Sequence, residues 1–200
     1  MIQTRMDVIN HLIKEFGYKT YLEIGVRMGD CIRRISCELK HGVDPSKLCS
    51  EVTHNMTSDE FFQNHCNQTY DIIFIDGNHD SDYVCRDLNN SLKVLSANGS
   101  IIMHDCFPQK QEHACKYRDI VDSSIWNGDS FKVINSVVKN YEDFLSAIVV
   151  EIDYGVGVLR KKRNDITNVV YDDSYSFETM SANPIKEINL ISVEKFLDIF

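Results

Sequence analysis

Apolar residues at Val8, Ile9, Leu12, Ile13 and Phe16 recur with helical spacing between Met6 and Phe16, and Gly17 offers a stop. Thr20 to Ile24 reads as a short apolar strand that ends at Gly25. From Gly29-Asp30 onward the spacing of Ile32, Ile35 and Leu39 predicts a helix, and His41-Gly42-Val43-Asp44-Pro45 predicts a second strand ending on a carboxylate and a proline. Thr57-Ser58-Asp59-Glu60 has the T-x-x-E form of a capping box, so a helix is expected through Phe61 and Phe62. Asp71 to Gly77 is the strongest strand signal, an unbroken apolar run of the kind buried on both faces of a parallel sheet. Val84, Leu88, Leu92 and Leu95 form a helical stripe, with Asp80 as its N-cap and Asp82 in its first turn. Asn98-Gly99 reads as a turn, and Ser100 to His104 as another buried strand.

Strand and helix therefore alternate, which implies an α/β sheet with right-handed crossovers. A polar segment, Cys106 to Asp129, precedes a helix near Phe131 to Val138. Two apolar runs follow, Leu145 to Ile152 and Gly155 to Leu159. Only Asp153 and Tyr154 separate them, too few for a crossover, so they should pair as an antiparallel hairpin. The polar tail from Asn164 is expected to end in a helix near Val193 to Phe200 or to form a partner contact. No repeat or linker interrupts the chain, so one domain over residues 1–200 is expected, with a core over about 5–160 and an extension over 161–200.

Composition narrows the function classes. The 200 residues can bury a substantial core, and 43% apolar with 26% charged residues is ordinary for a globular chain. No apolar run reaches the roughly 20 residues that span a bilayer, and no signal-peptide pattern opens the chain. Seven cysteines without a C-x-x-C pair argue against a disulfide framework or zinc knuckle and suit a reducing cytoplasm. The net charge of −9, with one dense basic run at Arg160 to Arg163, points away from nucleic acid and toward a small-molecule or glycan partner.

Ligands of open α/β sheets bind beyond the carboxyl ends of the strands. Polar or glycine-containing residues end several strands here: Glu23 to Gly29, Asp44, Ser58-Asp59, Asp76 to His79, and His104-Asp105. In Glu23-Ile24-Gly25-Val26-Arg27-Met28-Gly29, the glycines let the backbone turn sharply beside a ligand. The dinucleotide pattern is absent because Arg27 takes its middle position, and no Gly-Lys-Ser/Thr makes a P-loop. Asp44 stands where an acid accepts both ribose hydroxyls of an adenosine. An acidic pocket suits the cationic sulfonium of S-adenosylmethionine better than a pyrophosphate.

The segments at 21–26, 42–45, 70–79 and 101–106, together with Trp126-Asn127-Gly128-Asp129, resemble class I S-adenosylmethionine-dependent methyltransferases. The subgroup resembled includes sugar and natural-product O-methyltransferases. The resemblance spans about residues 5–160 and implies a Rossmann-like, mostly parallel seven-stranded sheet with a C-terminal antiparallel hairpin and helices on both faces. It places Glu23, Gly25, Val26 and Gly29 at the methionine end of the cofactor. Asp44 and Pro45 would lie by the ribose, Ser58 and Asp59 near the adenine, and Asp76 beside the reacting end. Arg27 would reach the cofactor carboxylate or point to solvent.

An alcohol acceptor needs a general base or a metal that lowers its pKa. The resemblance implies that Asp76 and Asp105 ligate a divalent metal, with His79 beside the acceptor. His104 stands where many metal-dependent members carry a second acid. Asp76, His104 and Asp105 would suit manganese or another transition metal better than magnesium. Alternatively the site holds no metal and His79 or His104 is the base. Trp126, with Asp129, would stack on a sugar acceptor or pin its loop to the helix behind it. The expected activity is O-methylation of a sugar or glycan hydroxyl. The competing readings are a catechol or amine methyltransferase of the same fold and a non-catalytic domain that only binds the cofactor. No membrane or nucleic-acid partner is expected, and a homo-oligomer is open.

Overall fold

The computed structural model describes residues 1–119 and 125–200, and the side chain of Arg118 lies outside that description. Helix α1, Arg5–Phe16, buries Val8, Ile9, Leu12 and Ile13 and stops at Gly17, whose φ of +65° takes the left-handed cap that glycine adopts without strain. Strand β1 is Thr20–Ile24 and β2 is Leu39–Val43. Helix α2, Ser58–Glu60, is started by the Thr57 side chain, which accepts the Glu60 N–H as the capping pattern predicts, and continues as a wider turn over Phe61–His65. Strand β3, Tyr70–Ile75, carries Ile72, Ile73 and Phe74 with no exposed surface, each stabilising the fold by roughly 1.5–3 kcal/mol. Helix α3, Ser81–Val94, leads into β4, Leu95–Met103.

Helix α4 is Phe131–Asn140, and the hairpin is β5, Leu145–Val150, with β6, Val156–Lys161. The tail adds α5, Phe177–Ala182, α6, Pro184–Ile188, strand β7, Leu190–Ile191, and α7, Val193–Ile199. The seven strands lie in the order β2-β1-β3-β4-β6-β5-β7. The first four are parallel, β6 runs antiparallel to both β4 and β5, and β7 runs parallel to β5. One apolar layer packs α3 and α4 against Leu22, Ile73, Ile75, Ile101 and Met103; the other packs α1 and α7 against Tyr21, Ile72, Phe74 and Ile102. The alternation along β1, β3 and β4 puts Glu23, Asp76 and His104 toward the α1 side, which decides what they meet.

Four sequence expectations change. The helix expected from Gly29 to Leu39 is a single 3-10 turn, Ile32–Arg34, and Leu39 already belongs to β2. Fourteen residues, 25–38, return from the end of β1 to the start of a parallel neighbour, about 17 Å for a five-residue strand. An α-helix rises only ~1.5 Å per residue, so spanning that distance would take about eleven of them and leave few for the Gly25 turn and the second corner. Lys40 Nζ ties the segment down by donating to the carbonyls of Ile32 and Ile35 at 2.7 and 3.1 Å. The Asn98-Gly99 turn lies inside β4 as an irregularity: Tyr70 pairs with Leu95, and the next pair is Ile72 with Ser100. The seventh strand comes from the tail, because the hairpin leaves the end of β5 open for Leu190 and Ile191. Asp80 is the N-cap residue of α3 as expected, but its side chain makes no cap bond; Asp129 Oδ1 accepts the Ser81 N–H at 2.6 Å instead.

Candidate active site

The carboxyl ends of β1 and β2 form a turn made mostly by backbone. Gly25, Arg27 and Gly29 have φ values of +87°, +49° and +80°. A Cβ on Gly25 would lie 2.2 Å from the Asp76 carbonyl oxygen, so the turn presses directly on the end of β3. Arg27 holds a left-handed conformation that favours glycine, and its N–H is secured by Asp44 Oδ2 at 2.8 Å. Its side chain is exposed. Asp44 Oδ1 accepts the Ser46 N–H at 2.7 Å, so each carboxylate oxygen keeps a further lone pair for a hydroxyl donor. Asn55 Nδ2 donates to the carbonyls of Asp44 and Pro45 at 3.1 and 2.9 Å. Val26 is buried beneath the turn, and Ser58 approaches the buried carboxyl of Asp87. Asp59 pairs with Arg86 at 3.2 Å. Glu23 is buried and takes the Tyr21 hydroxyl; burial, which outweighs that bond, pushes its carboxyl up to about 7.

The ends of β3 and β4 carry a different construction, a closed cluster of ionisable side chains. His79 Nδ1 lies 2.8 Å from Asp105 Oδ2, and its Nε2 lies 3.5 Å from Asp76 Oδ1. His104 Nδ1 faces the same two acids, 3.1 Å from Asp76 Oδ1 and 3.3 Å from Asp105 Oδ2. His104 Nε2 lies 2.8 Å from the Asp153 backbone carbonyl. A carbonyl only accepts, so that nitrogen carries a proton, and Nδ1 is left facing two carboxylates. Burial opposes charge on His104, but Asp76, Asp105 and Asp153 outweigh it and hold its pKa well above the ordinary value. Burial likewise opposes charge on His79, and Asp105 with Asp76 raises it to about 9. Asp76 and Asp105 are correspondingly held below the usual carboxylate range by the two imidazoles, against burial.

Two further residues complete the cluster, and neither was expected from the sequence. Arg5, the first residue of α1, sets Nη1 2.9 Å from Asp153 Oδ2 and Nε 3.5 Å from Asp76 Oδ2. Its position was the available signal, since a cation in the first turn opposes the helix dipole and needs a partner elsewhere. Asp153 sits in the hairpin turn with φ +47°, followed by Tyr154 at +60°. The cluster thus holds three carboxylates, two of them against the one guanidinium, and the two negative charges left over are balanced by two imidazolium protons or one divalent cation.

Among the described residues, Asp76, His79 and Asp105 are the group whose ligand atoms converge, all within 4.8 Å. That group contains His79, whereas the expected set had His104, whose Nδ1 also faces the two acids while its Nε2 is committed to the hairpin carbonyl. The nearby carboxylate oxygens lie off the N–H directions of His79 Nδ1 and His104 Nδ1, and both nitrogens are buried without an aligned partner. That geometry and the mixed nitrogen–oxygen donor set fit a small transition-metal ion such as manganese better than magnesium.

Of the polar segment Cys106 to Asp129, residues 120–124 lie outside the described residues. Trp126 stacks on His79 with ring centroids 5.0 Å apart and planes 10° from parallel. Asp129 is buried, with both oxygens on Ser81 and one 3.2 Å from Lys132 Nζ. Asn127, named in the sequence only as part of the Trp126-to-Asp129 motif and given no role, is buried and donates to Asp105 Oδ1 at 2.6 Å.

A family model described as a methyltransferase domain matches residues 47–106, which include the segment from Asp76 to Asp105. The chain resembles a Podospora anserina methyltransferase bound to S-adenosylhomocysteine, with TM-score 0.54 and 19% identity over 80% of this chain and 78% of that one. It also resembles an O-methyltransferase of Bacillus cereus in complex with S-adenosylhomocysteine, with TM-score 0.51 and 14% identity over 78% of each chain. The chain has the class I methyltransferase fold. A Staphylococcus aureus protein provisionally assigned as a caffeoyl-CoA O-methyltransferase shares that fold, at TM-score 0.60 and 19% identity over 80% of this chain and 85% of that one. No curated protein matches the sequence. Within the class I fold, the Gly25 turn and the imidazole cluster stand side by side at one end of the sheet, joined where Gly25 meets Asp76.

Proposed function

We propose that this chain is an S-adenosylmethionine-dependent O-methyltransferase acting on a hydroxyl of a sugar or related polyol. The observation that carries the reading is the contact of the Gly25 turn with Asp76, which sets that backbone turn against a cluster able to take a proton. Bound against that turn, the cofactor would supply an electrophilic methyl group on a sulfonium. Asp44 would accept the ribose hydroxyls through its remaining lone pairs, while Gly25 to Gly29 present backbone to the methionine end.

His79 is the group to take the acceptor proton. At neutral pH its pKa of about 9 keeps it as an imidazolium. Positive charge brought beside Asp76 and Asp105 favours release of that proton and readies His79 as a base. Should a divalent metal be the occupant, Asp76, His79 and Asp105 would hold it, and its chemistry would be to lower the acceptor hydroxyl's pKa. His104, fixed by Asp153 and flanked by Arg5, keeps the two acids apart and oriented.

A neutral polyol is supported by the net charge of −9 and by the commitment of nearby cations to acids: Arg5 to Asp153, Lys116 to Asp82, and Lys132 to Asp129 and Asp173. Among the described residues no helix is long and apolar enough to cross a membrane, and the seven free thiols suit a reducing compartment such as the cytoplasm. The test is S-adenosylhomocysteine release with methyl glycosides, catechol and an aliphatic amine offered in parallel. Release with a glycoside supports the reading, release with the amine alone overturns the acceptor class, and cofactor binding without any turnover assigns a binding domain.

A further inference from the structure

His79 lies just before α3, which begins at Ser81, so its ring hangs from a connecting segment rather than from a helix face. The acids beside it do not fix the ring's plane, because Nδ1 lies close to Asp105 without an aligned hydrogen bond. Four consecutive residues from the loop before α4 meet His79 and its surroundings. The Trp126 indole lies 5.0 Å from the imidazole and nearly parallel to it. Asn127 holds Asp105 by a 2.6 Å bond. Gly128, at φ +68°, presses so close that a Cβ there would lie 2.2 Å from the His79 carbonyl oxygen. The Asp129 N–H donates to that same carbonyl at 3.2 Å, and its carboxylate caps α3.

The indole is itself anchored. Its Nε1 donates to the Cys115 carbonyl at 2.7 Å, and the Tyr117 ring meets it at 5.4 Å with planes 69° apart. A tryptophan whose ring N–H is bonded and one of whose faces is covered by an imidazole is built to hold that imidazole. With that face on His79, only the opposite face of the indole is left for anything else. We propose that Trp126 is a positioning residue that fixes the plane of the His79 ring, with Asn127 and Gly128 setting the acid and the backbone on which it works. The proposal rests on the reading of His79 as the proton acceptor, and it assigns the Trp126 to Asp129 segment to the catalytic pair rather than to the methyl acceptor.

Trp126 is the only tryptophan, so its emission reads the stack directly in the full chain. Replacing His79 by leucine should raise that emission by removing an imidazolium quencher, and unchanged emission would overturn the stack. In Trp126→Ala the His79 ring-proton resonances should move downfield and broaden, and unchanged resonances would overturn the positioning role. With methyl α-D-glucopyranoside or catechol as probe acceptor, Trp126→Ala should lower kcat by about tenfold or more while acceptor KM stays within about threefold. Trp126→Phe, which keeps a planar ring, should recover most of kcat and guards against a folding defect in the alanine variant. A rise in KM of about tenfold with kcat unchanged would place Trp126 against the acceptor and overturn the proposal. If wild type transfers no methyl group, the functional reading fails while the His79 resonances still decide whether the indole positions the ring.

Discussion

The ends of β1 and β2 and the ends of β3 and β4 hold their acids by opposite means. Asp44 is secured by two backbone N–H groups, those of Arg27 and Ser46. Asp76 and Asp105 are secured by side chains that can change charge, His79 and His104, with Arg5 behind them. A backbone-built hold keeps its N–H donors whatever the charge of neighbouring side chains and suits a constant part such as a nucleoside. A side-chain-built end answers to protons and cations and suits the step in which a proton moves. The two meet at one contact, Gly25 on Asp76.

The strongest way to break that division is at the shared contact. Gly25→Ala adds a Cβ 2.2 Å from the Asp76 carbonyl oxygen at a φ of +87°. A backbone clash on top of left-handed strain should cost about 4 kcal/mol or more, read as a loss of thermal stability and of cofactor binding together. Next comes His79→Ala, which should cut turnover by about 10²–10⁴ while S-adenosylhomocysteine binding stays intact. Equal loss of both would erase the distinction between the two ends.

A smaller effect follows from pH. His79 is raised from its ordinary 6.5 to about 9, so its contribution to stability is fully present below pH 6.5 and disappears as pH rises through 9. His104 acts in the same direction. Asp76, Asp105 and Asp153 are lowered, so their contribution is present above the usual carboxylate range and disappears as pH falls below it. The melting temperature should therefore decline between pH 6.5 and 9, and Asp105→Asn should flatten that decline. An unchanged slope in the variant would show that the cluster does not govern it.

The parallel half of the sheet was legible because a strand buried on both faces has few sequence alternatives. The runs ending at Ile24, Val43, Ile75 and Met103 all became strands. The two-residue gap at Asp153-Tyr154 likewise forced the hairpin. What the pattern missed depends on distance across the fold. The linker from Gly29 to Leu39 has helical spacing but must span a strand's length. Strand β7 is two residues long and exists only because β5 has an open end. In the site, Asp76, His79, His104 and Asp105 were visible because each ends or follows an apolar strand. Arg5, Asn127 and Asp153 reach the cluster from a helix start, a loop and a turn, where spacing says nothing about contact. Trp126 was recognised, but only the stacked ring shows its partner as His79.

The most direct test is calorimetric titration of the full chain with S-adenosylhomocysteine, run on wild type, Asp44→Ala and His79→Ala. The division of labour predicts one-to-one binding by wild type, the same affinity in His79→Ala, and a dissociation constant raised about tenfold or more in Asp44→Ala. No binding by wild type, or unchanged binding in Asp44→Ala, would contradict it.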